Sequence, residues 1–524
     1  MRTPFFLIAF AALAVSALLV LLSPWFWALF GFTLALTLLG VHDCMQTTHA
    51  VQRNFPVVGH FRYLLEAIRP EINQYFIESN TDGRPFHREE RSVVYQRAKQ
   101  QLDTVPFGTQ WDVYEEGYEW IAHSITARHL HGDPPRVLIG ESTCEQPYSS
   151  SLLNISAMSF GSLSRQAILS LNGGAKRGGF AHNTGEGGIS PYHLEPGGDL
   201  IWQIGTGYFG CRNLDGTFDP VSFERNAKRP NVKMIEIKLS QGAKPGHGGI
   251  LPAAKVTQEI SEIRGVPMGK DVLSPPGHTA FSTPLQLMDW VTELRRLSGG
   301  KPVGIKLCVG RRTEFMALCR AMRMSGKHPD YIAVDGGEGG TGAAPVEFSN
   351  SVGMPRREGL VYVHNCLVGF ALRDKVKVIA SGKVLSGFDI ASNLAMGADI
   401  CHSARAMMMA LGCIQARRCN ENVCPVGVAT QHPGLAAGLD VPSKSVRVAN
   451  YHQETIQSFL DLLGAAGLDT PSELTPHMLM RRTGPSEVKS YFELYPFIEN
   501  GALLFDPVPP AYERAWLRSA ATHF

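Results

Sequence analysis

A chain of 524 residues, of which 44% are hydrophobic and 18% charged, is long enough to bury a large core with additional segments around it. Its formal net charge of +2 excludes the strongly basic surface by which proteins bind nucleic acid, so we expect no nucleic-acid partner. Ten cysteines over this length are too few for a disulfide scaffold. The composition therefore predicts a large globular protein.

The first 42 residues contain two apolar runs, Pro4–Leu22 and Trp25–Val41, which are separated by Ser23 and Pro24. Each run would rise about 26–28 Å as a helix, close to the thickness of the hydrocarbon core of a bilayer. A Ser-Pro pair breaks the helix and permits a reversal. We therefore favour a transmembrane hairpin at 1–42, with a signal sequence or single span and a pair of buried core helices as the alternatives.

Positively charged residues lie on one side of this hairpin. Arg2 precedes the first apolar run, Arg53 and Arg62 follow the second, and the turn between the runs carries no charge. Because cytoplasmic flanks retain positive charge, we expect both ends of the hairpin to be cytoplasmic. This predicts a protein of the inner (cell) membrane whose catalytic domain faces the cytoplasm.

Three further regions follow the hairpin. Residues 43–105 are polar and mixed in charge, which favours a connecting region of helices and loops. From 106 to 440, short β-type runs alternate with amphipathic helical stretches, as in successive βα units. Residues 441–524 are predicted to form a C-terminal helical extension.

The alternating pattern in 106–440 favours a (β/α)8 TIM barrel. The predicted strands are Leu152–Met158, Met234–Leu239, Val303–Cys308, Tyr331–Val334, Val376–Ala380 and Asp399–Ser403. The predicted helices between them are Leu163–Lys176, Pro284–Leu297, Thr313–Met324 and Gly387–Met396. Polar residues follow most of these strands, and no G-x-G-x-x-G follows a first strand, so a barrel is favoured over an open doubly wound sheet.

Three cysteines, Cys413, Cys419 and Cys424, stand in one segment with the spacing C-x5-C-x4-C. Three thiolates can hold an iron–sulfur cluster that leaves one iron position vacant, and Arg417 and Arg418 would offset its negative charge. Zinc and three unconnected thiols are the alternatives, although no histidine completes a tetrahedral zinc site at the usual spacing. The segment is therefore a candidate metal site.

Four segments lie at the ends of predicted strands, namely 157–164, 335–345, 380–387 and 402–407; the first three contain glycine, and 335–345 has a cluster of five. Helix N-termini favour anions, and barrels often bind a cofactor phosphate with the loops after the seventh and eighth strands. Each segment alone can be an ordinary turn. Together, at the ends of ordered strands, they favour a cofactor that carries a phosphate.

Three charged residues in these places are candidates for chemistry. Lys306 lies in the apolar strand VGIKLCV, where a lysine needs a partner or a function, such as stabilising a reduced flavin. Lys244 lies between glycines and suits a substrate carboxylate, with an exposed loop lysine as the alternative. Glu186, also among glycines, either binds a ligand or caps a turn.

The segments AMSFGSLS, NTGEGG, SQGAKPGHGGILP, SPP-x-H, GGTGA and C-x5-C-x4-CPVGVATQ occur in this order across about residues 105–480. They resemble the FMN-binding synthase domain of glutamate synthase, in a stand-alone, membrane-anchored form. The resemblance implies a 3Fe-4S cluster with Cys413, Cys419 and Cys424 as ligands, and a role for Lys244 in binding 2-oxoglutarate. The FMN-contacting positions that it implies are Ala157, Met158, Ser159, Lys306, Gly339, Gly340, Thr341, Ser381, Gly382, Ser403 and Arg405.

The resemblance also implies a reaction, in which electrons from ferredoxin or another donor pass through the cluster to FMN and reduce an imine of 2-oxoglutarate to glutamate. We expect no glutaminase domain, so ammonia would come from solution or from a separate amidotransferase subunit. Two positions depart from the family pattern, because Ile189 and Ile250 stand where polar residues are usual. The alternatives are a membrane-linked flavin dehydrogenase that oxidises an amine or 2-hydroxy acid, and a non-catalytic electron-transfer subunit.

Overall fold

The computed structural model describes residues 2–101 and 104–524. The chain divides into two compact units, Met1–Arg88 and Glu89–Phe524. Their boundary lies inside the predicted connecting region 43–105.

The N-terminal unit is built on two long apolar helices, α1 (Arg2–Val20) and α2 (Phe26–Met45). They pack side by side as a hairpin, and the hydroxyl groups of Ser16 and Thr33 form a hydrogen bond of 2.8 Å between them. Both helices are long and apolar enough to cross a membrane, a criterion that signal sequences and core helices also meet. Two helices with a turn between them are thus observed, while their insertion in a membrane stays a prediction.

The rest of this unit consists of shorter helical segments and loops. The helical segments are α3 (Ala50–Asn54), α4 (His60–Ile72) and a π-helical turn at Asn73–Ile77. All three lie within the predicted connecting region 43–105.

Eight parallel strands form a closed barrel in the second unit. They are β1 (Leu153–Ile155), β2 (His182–Asn183), β3 (Leu200–Ile204), β4 (Val232–Lys238), β5 (Val303–Leu307), β6 (Tyr331–Asp335), β7 (Lys377–Ser381) and β8 (Ile400–Ser403). Each strand pairs with its neighbours in sequence, and β8 pairs with β1, where Cys401 lies opposite Leu153. The barrel prediction is confirmed. An open doubly wound sheet is excluded, because each of the eight strands pairs with a neighbouring strand on both of its edges.

Local capping explains where the barrel helices begin and end. Ser164 accepts a hydrogen bond from the Ala167 backbone at the start of the helix Arg165–Gly178, and Gly179 ends that helix in the left-handed conformation.

The remaining α-helices are Arg88–Ala98, Pro191–Leu194, Pro220–Ala227, Gln258–Arg264, Pro284–Leu297, Arg312–Ser325, Val346–Ser351, Arg356–Gly369, Gly387–Ala395, Arg405–Leu411, Pro433–Ala436, Val441–Ala465, Tyr491–Leu494 and Pro510–Arg518.

Two of the eight strands, β2 and β3, are missing from the predicted set. Strand β2 is only two residues long and reads His-Asn, so it has neither the length nor the apolar run of a typical strand. Strand β3 is buried along its whole length, and periodicity alone does not distinguish such a short apolar run from a buried helix. The six predicted strands are all present, each within three residues at either end.

Smaller sheets surround the barrel. The strands Arg136–Ile139 and Tyr148–Ser151 form a hairpin whose Ile139 and Tyr148 join the core cluster inside the barrel. The region 441–524 is not wholly helical as predicted, because its strands Leu479–Arg482 and Val488–Ser490 form an antiparallel sheet with Glu119–Ile121. A strand pair formed across so large a separation in sequence leaves no local signal.

Candidate active site

The predicted site residues converge at the carboxyl ends of the barrel strands, where enzymes of this architecture carry out their chemistry. Lys306 lies on β5, and Ser381 and Ser403 are the last residues of β7 and β8. Met158 and Ser159 follow β1 and are buried, as expected for residues that line a site. The barrel therefore brings together at one rim side chains that are far apart in sequence.

Glu186, in the loop after β2, forms a buried ion pair with Lys238 at the end of β4. The Oε1 and Nζ atoms lie 2.9 Å apart, and the side chains are 17% and 7% exposed. Burial alone would raise the pKa of Glu186, but the charges of Lys238, Lys244 and Arg264 together lower it. The carboxylate is therefore ionised at neutral pH, and the charges of three cationic side chains act on it.

Two glycines make room for this carboxylate. A Cβ on Gly249 would lie 2.5 Å from Glu186 Oε1, and a Cβ on Gly205 would lie 2.7 Å from Glu186 Cβ. Both distances are shorter than real Cβ contacts, so a larger residue at either position would displace Glu186. Close packing against Glu186 therefore explains why glycine occupies positions 205 and 249.

Lys244 lies in the loop after β4 and is 4% exposed. Its Nζ donates a hydrogen bond of 3.2 Å to the carbonyl oxygen of Ala343, in the glycine-rich loop after β6. Burial lowers the pKa of Lys244 to about 8, although the charge of Glu186 opposes this shift. The preceding Ala243 has a φ of 66°, a left-handed conformation that residues with a Cβ rarely adopt. A buried lysine with a lowered pKa beside strained backbone is typical of a functional position.

Arg264 brings a third cation to Glu186 from the helix Gln258–Arg264. Its Nη2 donates a hydrogen bond of 2.9 Å to the carbonyl oxygen of Phe160 in the loop after β1. A Cβ on Gly187 would lie 2.7 Å from the same nitrogen. Burial lowers the pKa of Arg264 to about 10, which leaves the guanidinium charged at neutral pH. Arg264 therefore connects the loops after β1 and β2.

A second charged cluster lies around Asp335, at the end of β6. Lys306 Nζ and Asp335 Oδ2 are 3.6 Å apart, and both side chains are buried. Asp335 Oδ2 also accepts a hydrogen bond of 2.9 Å from the Gly242 backbone. Lys306 therefore has a carboxylate partner, one of the two possibilities that the sequence left open. The distance between the two charged groups exceeds that of a charge-assisted hydrogen bond.

His402, on β8, belongs to the same cluster. Burial and the charge of Lys306 lower the pKa of His402 to about 3, so the ring is neutral. Its Nε2 is buried and has no hydrogen-bond partner among the described residues. This nitrogen is therefore able to pair with a group that the protein itself does not supply.

The glycine-rich loop after β6 packs against arginines from two other segments. A Cβ on Gly340 would lie 2.8 Å from Arg405 Nε, and Arg405 Nη2 donates a hydrogen bond of 2.8 Å to the carbonyl oxygen of Glu338. Arg356 Nη1 donates one of 2.7 Å to the carbonyl oxygen of Gly382. The Nε of Arg356 is buried without a partner in the part of the chain that the structure describes. Two arginines thus border the loop.

The other predicted positions of this rim differ in exposure. Gly339 is buried, and a Cβ there would lie 3.0 Å from the carbonyl oxygen of Gly336. Thr341 is exposed, and its hydroxyl donates to the carbonyl oxygen of Ala343 at 3.2 Å. Ala157 is half-buried. The loop is therefore packed at its base and open to solvent at its tip.

His278, from the SPP-x-H segment, anchors a further loop to the site. Its ring nitrogens lie 3.1 Å from the Tyr208 hydroxyl and 2.8 Å from the carbonyl oxygen of Lys238. Burial lowers the pKa of His278 to about 4. The neutral ring therefore fixes the backbone that carries Lys238.

The three predicted metal ligands follow the helix Arg405–Leu411. Cys424 is buried, whereas Cys413 and Cys419 are half-buried. Burial, and then the charges of the other two thiols, raise the pKa of Cys413 to about 12, so the three groups are electrostatic neighbours. Across residues 2–101 and 104–524, no three His, Cys, Asp or Glu side chains are arranged to hold a single metal ion.

Lys255 links the cysteine segment to the loop after β1. Its buried Nζ donates hydrogen bonds of 2.9 Å to the carbonyl oxygens of Ser162 and Ala429. The side chain of Asn422 donates one of 3.0 Å to the carbonyl oxygen of Ala254. The loops after β1 and β4 therefore share one network with the cysteine segment.

The chain matches the family described as the conserved region in glutamate synthase over residues 96–469. It is 38% identical to the glutamate synthase large subunit-like protein YerD of Bacillus subtilis, over 84% of this chain and 92% of that protein. The chain belongs to the glutamate synthase family.

Other relatives in the glutamate synthase family are matched over part of their length. The archaeal glutamate synthase [NADPH] of Methanocaldococcus jannaschii is 37% identical over 61% of this chain and 60% of that protein. The glutamate synthase [NADPH] large chain of Bacillus subtilis is 32% identical over 60% of this chain and 20% of that protein. Family membership makes this chain an oxidoreductase acting on CH–NH2 donors, which argues against the non-catalytic alternative.

Four residues of this candidate site are missing from the predicted set, namely Lys238, Arg264, Asp335 and His402. Lys238 carries the same signal as Lys306, a lysine within an apolar strand. Asp335 and His402 lie in segments that the sequence analysis singled out, but without an indication that their side chains face the site. Arg264 has no sequence signal, because it ends an ordinary amphipathic helix and only packing makes it buried.

Proposed function

We propose that this chain is an FMN-dependent, glutamate-synthase-like oxidoreductase that reduces the imine of 2-oxoglutarate to glutamate. Electrons would enter from ferredoxin or another one-electron donor through an iron–sulfur cluster held by Cys413, Cys419 and Cys424. Ammonia, free or delivered by a separate amidotransferase subunit, would supply the nitrogen.

The buried excess of positive charge around Glu186 is the observation that carries this proposal. Three cationic side chains face one carboxylate, an excess of two charges (three minus one). Burying unpaired charge of one sign is costly, so such a site favours an anionic ligand. A dicarboxylate such as 2-oxoglutarate brings two negative charges and would balance the excess.

The two residues at the centre of this cluster suit different parts of the substrate. Lys244 Nζ makes one hydrogen bond in the described part of the chain, whereas an ammonium group can donate three. It would bind a substrate carboxylate. Glu186 stays ionised, so its carboxylate would accept a hydrogen bond from the substrate nitrogen and orient it. Lys238 would position Glu186 through their ion pair.

The Asp335 side of the rim fits FMN. His402 Nε2 and Arg356 Nε are buried polar atoms in need of partners, and the glycine-rich loop 335–345 permits close approach of its backbone. Lys306 would hold a positive charge against a bound flavin. The residues that would contact the cofactor are Ala157, Met158, Ser159, Lys306, Gly339, Gly340, Thr341, Ser381, Gly382, Ser403 and Arg405. When bound, FMN would supply the hydride that reduces the imine.

The cysteine segment fits a cluster better than a single ion. One zinc ion needs all its thiolates about 2.3 Å from a single point, whereas a cluster binds each thiolate through a different iron. Gln415, Arg417 and Asn422 adopt left-handed φ values of 59°, 56° and 64°. Such backbone persists only where the surroundings enforce it, as at ligand sites. When bound, a 3Fe-4S cluster would supply one-electron transfer to the flavin.

We also propose that α1 and α2 are a transmembrane hairpin of the inner (cell) membrane, with the catalytic domain in the cytoplasm. Polar groups inside a bilayer must find partners within the protein. Ser16 and Thr33 bond to each other, and the Thr37 hydroxyl donates to the carbonyl oxygen of Thr33 at 2.7 Å. The Phe5 ring lies directly on Gly40, the close approach that small residues allow between membrane helices.

An anaerobic half-reaction tests the proposed chemistry. The purified chain would be reduced chemically and mixed with 2-oxoglutarate and ammonium, while flavin absorbance is followed and glutamate is quantified. We expect prompt reoxidation with one glutamate per flavin, and strongly slowed reoxidation in Lys244→Gln. A flavin that stays reduced in the unaltered protein would reject this substrate pair.

A second candidate function is a membrane-linked flavin dehydrogenase that oxidises an amine or 2-hydroxy acid. Two half-buried isoleucines favour it, since Ile189 and Ile250 stand at positions that are usually polar in the family. Ile250 directly follows Gly249, which packs on Glu186. Bleaching of the oxidised flavin by an amine or 2-hydroxy acid, with electrons passing to a quinone, would support this alternative.

A further inference from the structure

Helix α4 carries an apolar stripe that the rest of the N-terminal unit leaves exposed. We define this stripe as Phe61, Leu64, Leu65 and Ile68, which are between 41% and 64% exposed. Their spacing of i, i+3, i+4 and i+7 puts all four on one face of the helix. Exposed apolar side chains on this scale, grouped on one face, mark a surface that something covers.

Three charged side chains of α4 lie on another side of the helix. Arg62, Glu66 and Arg69 are spaced i, i+4 and i+7, which we call the polar face, and Arg62 and Glu66 form an exposed ion pair at 3.7 Å. Glu71, near the end of the helix, lies at the edge of the apolar stripe. The two arginines and two glutamates cancel, so the helix has no net charge. Because the helix is neutral, electrostatic attraction to a charged partner surface does not explain the exposed stripe.

The start of α4 is fixed to the open end of the α1–α2 hairpin. Asp43, near the end of α2, accepts hydrogen bonds of 2.9 Å from His60 Nε2 and 2.8 Å from the Val57 backbone. Arg2, at the start of α1, donates one of 2.7 Å to the carbonyl oxygen of Arg53. Both anchoring residues lie just outside the apolar runs 4–22 and 25–41. In an inserted hairpin, α4 would therefore start at the level where hydrocarbon gives way to water.

From that point, only one orientation of α4 places the apolar stripe in hydrocarbon and the charged side chains in water. A helix directed into the bilayer would bury four charged side chains in hydrocarbon, and one directed into the cytoplasm would leave the stripe in water. A helix lying in the plane of the membrane buries the stripe and leaves the charges in the aqueous interface. Its 13 residues would extend about 20 Å along the surface.

We infer that α4 is an interfacial helix that lies on the cytoplasmic leaflet, with Phe61, Leu64, Leu65 and Ile68 inserted among the lipid acyl chains. The exposed Tyr75, Phe76 and Ile77 of the following turn continue this apolar surface. The inference rests on the proposed transmembrane hairpin, and it specifies a second contact with the membrane. Because α4 is neutral, phosphatidylcholine suffices as the lipid, and no anionic headgroup is needed.

Photo-cross-linking of the full chain in phosphatidylcholine vesicles tests this inference. The photoreactive residue p-benzoylphenylalanine would replace Leu65 in the stripe, Glu66 on the polar face as the matched control, or Leu18 on α1 as the marker of hairpin insertion. All three positions are exposed, so the substitution leaves the core intact. Cross-links to an acyl chain that carries an alkyne tag would be quantified by mass spectrometry.

We expect lipid cross-links at positions 18 and 65, and at least about fivefold fewer at position 66. Lipid cross-links at 18 without an excess at 65 over 66 would overturn the interfacial helix while leaving the hairpin intact. Cross-links from 65 to a second copy of the chain would overturn it as well, in favour of a dimer contact. An absence of lipid cross-links at position 18 would contradict the transmembrane hairpin and, with it, the interfacial helix.

Discussion

The two charged clusters at the rim of the barrel differ in balance and in tightness. Around Glu186, three cations share one carboxylate, and the closest pair is 2.9 Å apart. Around Asp335, one lysine lies 3.6 Å from a carboxylate that also holds the Gly242 backbone, and the nearby His402 is neutral. One cluster is left with excess charge, whereas the other is nearly balanced.

This difference in charge balance suits the two clusters to different kinds of ligand. Excess buried charge suits an anion that binds and leaves, because the ligand completes the charge balance only while it is bound. A balanced cluster with unpaired polar atoms suits a resident cofactor, which needs hydrogen bonds more than charge. Both clusters are stabilised by the same barrel, so variants that disturb one and spare the other test the assignment.

The largest contrast in stability is expected between the two carboxylates. Glu186→Gln leaves three buried cations without a counter-charge and should lower the free energy of unfolding by about 3–5 kcal/mol. Asp335→Asn leaves only one cation, Lys306, without its carboxylate, and that pair is already loose at 3.6 Å. The amide oxygen can still accept from the Gly242 backbone, so we expect a smaller cost of about 1–2 kcal/mol. Thermal denaturation of the flavin-loaded proteins would compare them, and equal shifts would contradict the difference in charge balance.

The two lysines should separate substrate binding from cofactor tuning. Lys244→Gln removes a charge-assisted hydrogen bond and should raise KM for 2-oxoglutarate about 10–100-fold, with the flavin potential unchanged. Lys306→Gln should lower the flavin reduction potential, because it removes a cation, and leave KM within about threefold. Steady-state kinetics and a redox titration would measure both, and an exchange of the two phenotypes would refute the assignment.

A single methyl group should test the packing around Glu186. Gly249→Ala would place a Cβ 2.5 Å from the carboxylate oxygen, and the forced displacement should lower kcat/KM about 10-fold or more. Gly310→Ala is the matched control, because a Cβ at Gly310 meets nothing within 4 Å. Equal activities of the two variants would show that Glu186 tolerates displacement.

The smallest expected effect is a pH dependence set by Lys244. Its pKa of about 8 makes the side chain charged below that pH and neutral above it, so binding of a carboxylate is lost as pH rises. We expect KM for 2-oxoglutarate to increase by up to about tenfold per pH unit above 8. Lys244→Arg stays charged, and its KM should be flat over the same range. A rise of equal slope in that variant would assign the titration to another group.

Much of the site could be predicted from local patterns. Glycine clusters and polar residues at strand ends located the rim, and the helix predicted at Leu163–Lys176 is observed at Arg165–Gly178 with Ser164 as its N-cap. The short β2 could not be predicted, because a two-residue strand has no periodicity. Lys238 could have been included on the argument applied to Lys306, since both are lysines in buried strands.

By itself the sequence determined the alternation of strands and helices, the apolar hairpin helices and the identity of the family, because these depend on residues close together in the chain or on motifs in a fixed order. Only the tertiary structure decided that Lys238, Lys244 and Arg264 converge on Glu186. It also decided that Lys306 meets Asp335 at a distance too long for a tight ion pair. The physical reason is that burial and separation of charges depend on how the barrel closes, which brings remote residues to one rim and leaves no trace in local sequence.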